Sequence, residues 1–228
     1  DTTTLNFTAA DSAGPAVASS SPVDNATGVA VDANIILTFD ENVVVGSGNI
    51  TLKKSSDNST VQAMPVGGGN VSASGAVVTI NPSANLDSSQ GYYIQIAATA
   101  FDDASGNSYA GINDTTSLNF TAADVLGPTL SSSSPADNAT GVTGGANIVL
   151  TFNENVVLGS GNVSLFKTNG TLVEAMNVSS SAVTASTNTV TINPTANLVT
   201  LEGYYILIDA TAIDDASGNS YAGIGNSS

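Results

Sequence analysis

Hydrophobic and polar residues alternate with a period of two along most of the chain, and no stretch sustains the period of a helix. In NIILTF, residues 34–39, the side chains of Ile35, Leu37 and Phe39 fall on one face of an extended segment. In GYYIQIA, residues 91–97, Tyr92, Ile94 and Ile96 fall inward while Tyr93 and Gln95 fall outward. Successive side chains of a strand point to opposite faces, so both runs predict half-buried strands. Further strands are predicted at 15–21, 49–54, 60–66, 76–80 and 117–122. About seven short strands per hundred residues, separated by turn residues, predict an all-β fold of two antiparallel layers. Tyr92 opens its strand in one of two roles: a plain core aromatic, the commoner, or a corner tyrosine whose hydroxyl bonds back to the main chain.

Each pattern occurs twice. Ile148, Leu150 and Phe152 repeat the first face, and Tyr204, Ile206 and Ile208 the second, with Gln95 replaced by Leu207. DDASGNSYAGI at 102–112 returns unchanged at 214–224, and SSSPVDNATGV at 19–29 returns as SSSPADNATGV at 132–142. The offset is 113 from Phe7 and Phe120 through Asn49 and Asn162, then 112 from Met64 and Met176 onward. A period of that length suits a whole small domain in tandem and is too long for a solenoid unit. The lost residue falls in a hairpin, where Asn169-Gly170 predicts a type I′ turn and the first copy carries the longer Ser55-Ser56-Asp57-Asn58. Residues 1–11, DTTTLNFTAAD, match 114–124, DTTSLNFTAAD. The phase of the repeat therefore predicts a terminal strand of a preceding repeat at 1–11, a first repeat at 12–124, and a second at 125–228 that lacks its last strand.

Composition narrows the function. Nineteen acidic residues stand against Lys53, Lys54 and Lys167, with no Arg or His, for a formal charge of −16. Such a surface repels phosphate backbones and anionic lipid, which argues against nucleic acid and membrane partners and in favour of cations. Only 10% of residues are charged, so Ser, Thr, Asn and Gly supply most of the polarity. That is common in secreted surface proteins, with salt adaptation as a competing explanation. Cys is absent, and no apolar run approaches the roughly 18 residues of a membrane helix. Without His or Cys the usual nucleophile and base pairs are missing, so no enzyme is expected.

The succession Pro-x-Asp-Asn-Ala-Thr-Gly-Val, Asn-Ile-x-Leu-Thr-Phe-x-Glu-Asn-Val, Gly-Ser-Gly-Asn, Asn-Pro-x-x-Asn-Leu, Gly-Tyr-Tyr and Asp-Asp-x-x-Gly-Asn-x-x-x-Gly-Ile resembles the bacterial Ig-like domains of S-layer proteins and giant repetitive adhesins. The likeness runs through both copies. It implies two tandem Ig-like antiparallel β-sandwiches, an extracellular or cell-surface setting and, in some members, bound Ca2+.

In such a sandwich the start of the first strand and the loops after the second and sixth gather at one pole. Those segments carry Asp11, then Asp40 and Glu41, then Asp102, Asp103 and Asn107. The second copy offers Asp124, Glu154, Asp214, Asp215 and Asn219, with Asn153 replacing Asp40. Calcium wants carboxylate, amide and main-chain oxygens, which these segments supply, with Glu41, Asp102 and Asp103 and their counterparts as leading ligands. If both copies bind metal, Asp40 is peripheral or provides a neutral oxygen. The competing reading of DDASGN is an Asx-rich turn bonded to its own backbone. Asp24-Asn25 and Asp137-Asn138 read as turns or caps.

Together these features predict a structural extender repeat of an adhesin, S-layer or surface filament. A glycan- or protein-binding module is the alternative, and an exposed patch around Tyr93, Tyr109, Tyr205 and Tyr221 would favour it. Residues 2–9 nearly repeat 115–122, so residues 1–10 are expected to add as a strand to a neighbouring copy of the chain, head to tail.

Overall fold

A computed structural model describes residues 4–226 and divides the chain into a unit ending at Asp124 and a unit beginning at Val125. In the first unit the strands are β1 (Val17–Ser21), β2 (Ala26–Val29), β3 (Ile35–Phe39), β4 (Val44–Val45), β5 (Asn49–Lys54) and β6 (Thr60–Pro65). They continue with β7 (Val71–Ser74), β8 (Val77–Ile80), β9 (Gly91–Ile96), β10 (Phe101–Asp102) and β11 (Asn119–Ala122). One sheet has the order β1-β3-β8-β7, the other β2-β11-β9-β5-β6, and β4 pairs with β10 in a short ribbon. Among the described residues every strand pair of the first unit is antiparallel except β2 with β11.

The period-two faces meet between the sheets. Ile35 lies opposite Ile80 and Leu37 opposite Val78 in one, while Leu52 lies opposite Ile94 and Ile50 opposite Ile96 in the other. All eight are buried in one cluster. Ile94 is fully buried while Gln95 is only partly covered and donates its amide to the Asn113 carbonyl. A register slip of one residue would exchange their environments.

The second unit repeats the plan with β12 (Leu130–Ser134), β13 (Ile148–Phe152), β14 (Val156–Leu158), β15 (Asn162–Lys167), β16 (Leu172–Asn177), β17 (Val183–Ser186), β18 (Thr189–Ile192), β19 (Tyr204–Ile208) and β20 (Ile213–Asp215). Its sheets run β12-β13-β18-β17 and β16-β15-β19, with a β14-β20 ribbon. The second sheet has three strands among the described residues where the first unit has five. Tyr204 and Ile206 are accordingly partly exposed, although their counterparts Tyr92 and Ile94 are 1% and 0% exposed.

Several local expectations need correction. Tyr93, placed outward by alternation, is 2% exposed, because Lys53 lies over its ring and its hydroxyl donates to Asn58. Tyr92 fills both roles open to it: it is buried in the core, and its hydroxyl accepts the Asp87 N–H at 2.7 Å, as Tyr204 accepts that of Val199 at 2.8 Å. The second hairpin forms, but not through a type I′ turn. Gly170 alone of the pair has positive φ, 86°, its N–H donates to the Lys167 carbonyl, and Asn169 Oδ1 accepts the Thr171 N–H. That is a type I turn centred one residue earlier and closed by a glycine bulge. The short strands β2, β4 and β10 carry no clear alternation, and these and β7 lie outside the strands expected from the sequence. Residues 4–10 form no strand, with Leu5 84% and Phe7 87% exposed; Asp1, Thr2 and Thr3 of the strand expected at 1–11 lie outside the described residues.

Candidate metal centre

Three segments of the first unit bring carboxylates together. After β3, the Asp40 N–H donates to the Ala16 carbonyl at 2.9 Å, and Asp40 Oδ1 accepts the Ala16 N–H at 2.8 Å. The segment ahead of β1 is thereby fastened to the end of β3. Within it, Gly14 lies so close to the Ser108 carbonyl that a Cβ would collide with it, so only glycine permits the approach. Asp11 is held beside the loop that follows β10.

That loop is rigid for reasons visible in its side chains. Asp103 Oδ1 accepts the N–H groups of Ser105 and Asn107 at 2.8 and 2.7 Å, and its Oδ2 accepts the Asn107 amide at 2.7 Å. Fully buried Phe101 precedes the turn, and Tyr109 follows it with its ring edge-on to Phe39 at 5.2 Å. Asp103, although charged, is 4% exposed. One carboxylate oxygen from each of Asp11, Glu41 and Asp103 lies within 4.8 Å of the others.

The second copy is built the same way. Asn153 Oδ1 accepts the Thr129 N–H, a Cβ at Gly127 would meet the Ser220 carbonyl, and Tyr221 packs edge-on against Phe152 at 5.2 Å. Asp215 accepts from Ser217 and Asn219 as Asp103 does from Ser105 and Asn107. Within the second unit, Glu154 and Asp215 stand at the positions of Glu41 and Asp103, and Asp124 is the sequence counterpart of Asp11.

Charge is unevenly supported here. Partial burial, then the negative charges of Asp103, Asp11 and Asp40, raises the Glu41 carboxyl above its ordinary value. Burial pushes Asp103 the same way, but the Asn107 side chain and the N–H groups of Asn107, Ser105 and Gly106 outweigh it and hold the carboxyl low. Asp215 is held low by the equivalent groups. Asp103 is thus kept ionised beside two other acids. The three lysines are engaged elsewhere, Lys54 with Asp87 at 2.7 Å, Lys167 with Glu202 at 3.4 Å and Lys53 over Tyr93.

The donor set fits a hard divalent cation. Calcium bonds oxygen at about 2.4 Å, so two of its ligands can stand at most about 4.8 Å apart, which Asp11, Glu41 and Asp103 satisfy. Asp103 Oδ2 accepts one bond from Asn107 and has a second lone pair to offer. The turn and the metal ligand are therefore compatible uses of one carboxylate.

Asp102 and Asp214 stand outside the trios. Asp102 Oδ1 accepts the Ser108 hydroxyl at 2.5 Å and Asp214 Oδ1 that of Ser220 at 2.6 Å. Both lie on short strands, where adjacent side chains diverge, so Asp102 and Asp103 face different ways. Asn107 and Asn219 orient the neighbouring carboxylate through the amide. Asp40 and Asn153 each accept one backbone N–H on a side-chain oxygen, which a carboxylate or an amide can do, so either residue serves. Asp11 came out of the sequence as a member of the pole, but its place in the trio follows from the glycine approach.

Paired, largely antiparallel sheets and a tyrosine bonded back to the chain at the start of β9 and β19 define an Ig-like, all-β module. A family model described as bacterial Ig-like domain matches residues 11–122 and again 124–228, and the chain belongs to that family. The trio Asp11, Glu41 and Asp103 falls within the first match. Among solved structures, the N-terminal part of the bacterial S-layer protein SbsC is similar at 13% identity and a TM-score of 0.33, covering 88% of this chain and 44% of that one. The S-layer protein rSbsC(31-844) is similar at 13% identity and a TM-score of 0.32, covering 91% of this chain and 31% of that one. The chain spans less than half the length of either. No curated protein matches it.

Proposed function

We propose that this chain is an extender segment of an extracellular, cell-surface protein, made of repeated Ig-like domains that bind calcium at their acidic trios and join copy to copy by strand addition of residues 1–10. The observation that carries it is the meeting of Asp11, Glu41 and Asp103 around one buried, hydrogen-bonded carboxylate, with the same acidic residues recurring in the sequence as Asp124, Glu154 and Asp215. The ion ties the segment leading into the first sandwich to Glu41 after β3 and to Asp103 after β10. Family membership and a surface rich in hydroxyl and amide groups support the extracellular setting.

No catalytic role is assigned, because the chain has neither His nor Cys to activate a nucleophile. Among the described residues, no helix is long and apolar enough to cross a membrane. The binding-module alternative is not favoured: Tyr93, Tyr109 and Tyr221 are 2%, 7% and 9% exposed, and Tyr205 stacks on Phe166 at 5.3 Å. With three of the four buried, they form no contiguous exposed patch.

Thermal melts with calcium and with chelator test the metal. Extracellular modules hold calcium with dissociation constants of about 10⁻⁴ to 10⁻³ M, so at ten times that value each ion adds about 1.4 kcal/mol. An unchanged melt at millimolar calcium leaves Asp103 and Asp215 as turn residues only. Antibody labelling of intact source cells tests the setting, and labelling only after permeabilisation refutes it.

A further inference from the structure

The hairpin tip between β15 and β16 carries a chemistry that none of the roles above uses. Asn169-Gly170 is the one Asn-Gly step in the sequence, and residues 168–172 are all exposed. Asn169 holds the third position of the type I turn, and Gly170 follows at φ 86° with open space where a Cβ would stand. The main-chain nitrogen after an asparagine is a latent nucleophile, placed to close a succinimide ring on the side-chain carbonyl carbon. Glycine leaves that nitrogen unshielded.

The turn prepares the electrophile and restrains the nucleophile. Asn169 Oδ1 accepts the Thr171 N–H at 3.0 Å, which polarises the Cγ carbonyl and supplies a donor for the negative charge that Oδ1 acquires in a tetrahedral intermediate. The Gly170 N–H donates to the Lys167 carbonyl at 2.9 Å and must leave it before the nitrogen can attack. A main-chain hydrogen bond at an exposed tip contributes little net free energy, so this contact opens readily. The hairpin of the first copy restrains the same reaction more strongly. There Asn58 is followed by Ser59, whose N–H donates to Asp57 Oδ1 at 2.9 Å, and Asn58 Oδ1 is tied to the Tyr93 hydroxyl at 3.1 Å. Removing the proton from the Ser59 nitrogen would leave two negative charges in hydrogen-bond contact.

We infer that Asn169 is a spontaneous modification site, converted by water to aspartate and isoaspartate through a succinimide, and that the turn hydrogen bond of Gly170 limits its rate. The Gly170 nitrogen gives its proton to solvent and bonds to Asn169 Cγ; the Cγ–Nδ2 bond then breaks, and Nδ2 takes a proton from water and leaves as ammonia. Water next opens the ring at either carbonyl. Breaking the bond between the Gly170 nitrogen and Cγ restores the chain with aspartate at 169. Breaking the bond between that nitrogen and the main-chain carbon of residue 169 routes the chain through Cβ, as isoaspartate. Each event consumes H2O, releases NH3 and needs no oxidant or reductant. Both products add a negative charge to the tip, and isoaspartate adds a main-chain carbon to a turn that sits beside the paired residues Phe166 and Leu172. The two near-identical copies therefore age differently.

Incubation of the whole chain in warm, mildly alkaline buffer, followed by peptide mass mapping, tests the site. The expected change is the replacement of NH3 by H2O at residue 169, with uptake of a solvent oxygen from isotopically labelled water and isoaspartate detected by enzymatic methylation. Asn169 is expected to convert about tenfold or more faster than Asn58, whose following N–H is held by a carboxylate. In urea that unfolds the chain, conversion at 169 is expected to be about fivefold faster, the equivalent of one net main-chain hydrogen bond. Ser59→Gly, at an exposed position, gives the first hairpin the same dipeptide while keeping the N–H contact with Asp57. Asn58 of that variant is expected to lag Asn169 in the folded chain and to match it in urea. No conversion at 169 in the folded chain, or a faster asparagine elsewhere, overturns the site. A rate at 169 that does not rise in urea, or equal rates at 58 and 169 in folded Ser59→Gly, overturns the control by the turn.

Discussion

Ile94 and Ile206 occupy the same place in two copies of one sandwich but differ in cover, so truncating each measures what the neighbouring strand contributes. Ile94 is fully buried, with β5 on one side and β11 on the other; Ile206 has β15 on one side only and is partly exposed. Ile→Ala removes three carbons, worth about 0.8 kcal/mol each when fully buried, or about 2.4 kcal/mol. At Ile94 the space left is closed, and the cavity term brings the cost to about 3.5 kcal/mol. At Ile206 part of the transfer term is absent and the space opens to water, so about 1.5 kcal/mol is expected. A domain of this size loses about 4 °C of melting temperature per kcal/mol, giving shifts of about 14 °C for Ile94→Ala and about 6 °C for Ile206→Ala. Calorimetry on both variants in a Phe7→Asp background, where residues 5–10 of another copy are not available to cover Ile206, reads the two units separately. Equal shifts, or a larger one for Ile206→Ala, would refute the reasoning.

Other outcomes follow from single contacts. Tyr92→Phe leaves the Asp87 N–H without its acceptor and is expected to cost the first unit about 1–2 kcal/mol, seen as a lower denaturation midpoint. Glu41→Gln removes one of three crowded negative charges, so in chelator the first unit should melt higher than the parent; its calcium-dependent rise should vanish while that of the second unit remains. A first unit that still responds to calcium removes Glu41 from the ligand set. The Ser117 hydroxyl and the N–H groups of Thr116 and Ser117 lower the Asp114 carboxyl to about 2. A depressed carboxyl stabilises the fold above its unfolded value and loses that effect as pH falls through its folded value. The stability gap between the parent and Asp114→Asn should therefore be full above about pH 4 and close towards pH 2; a gap that does not change with pH contradicts this.

Much of the molecule was legible in the order of its residues. Period-two alternation at Ile35, Leu37 and Phe39 identified which faces are buried, because a strand sends neighbouring side chains to opposite sides whatever its partners. The duplication identified two domains, and the acidic loops Glu41 and Asp103 emerged as members of one pole. Which strands pair was not legible, since β2 exists only because β11 lies beside it and the same ATGV residues at 139–142 form none. Nor was the choice of Asp103 over Asp102: the adjacent carboxylates were separated only when β10 paired with β4 and turned Asp102 towards Ser108. Tyr93 likewise reads as outward by period, and only the side chains of Lys53 and Asn58 decide that it is covered. Local sequence fixes conformation and facing through the geometry of the backbone, whereas pairing, cover and the meeting of charges depend on residues far apart in the chain, and only the folded structure brings those together.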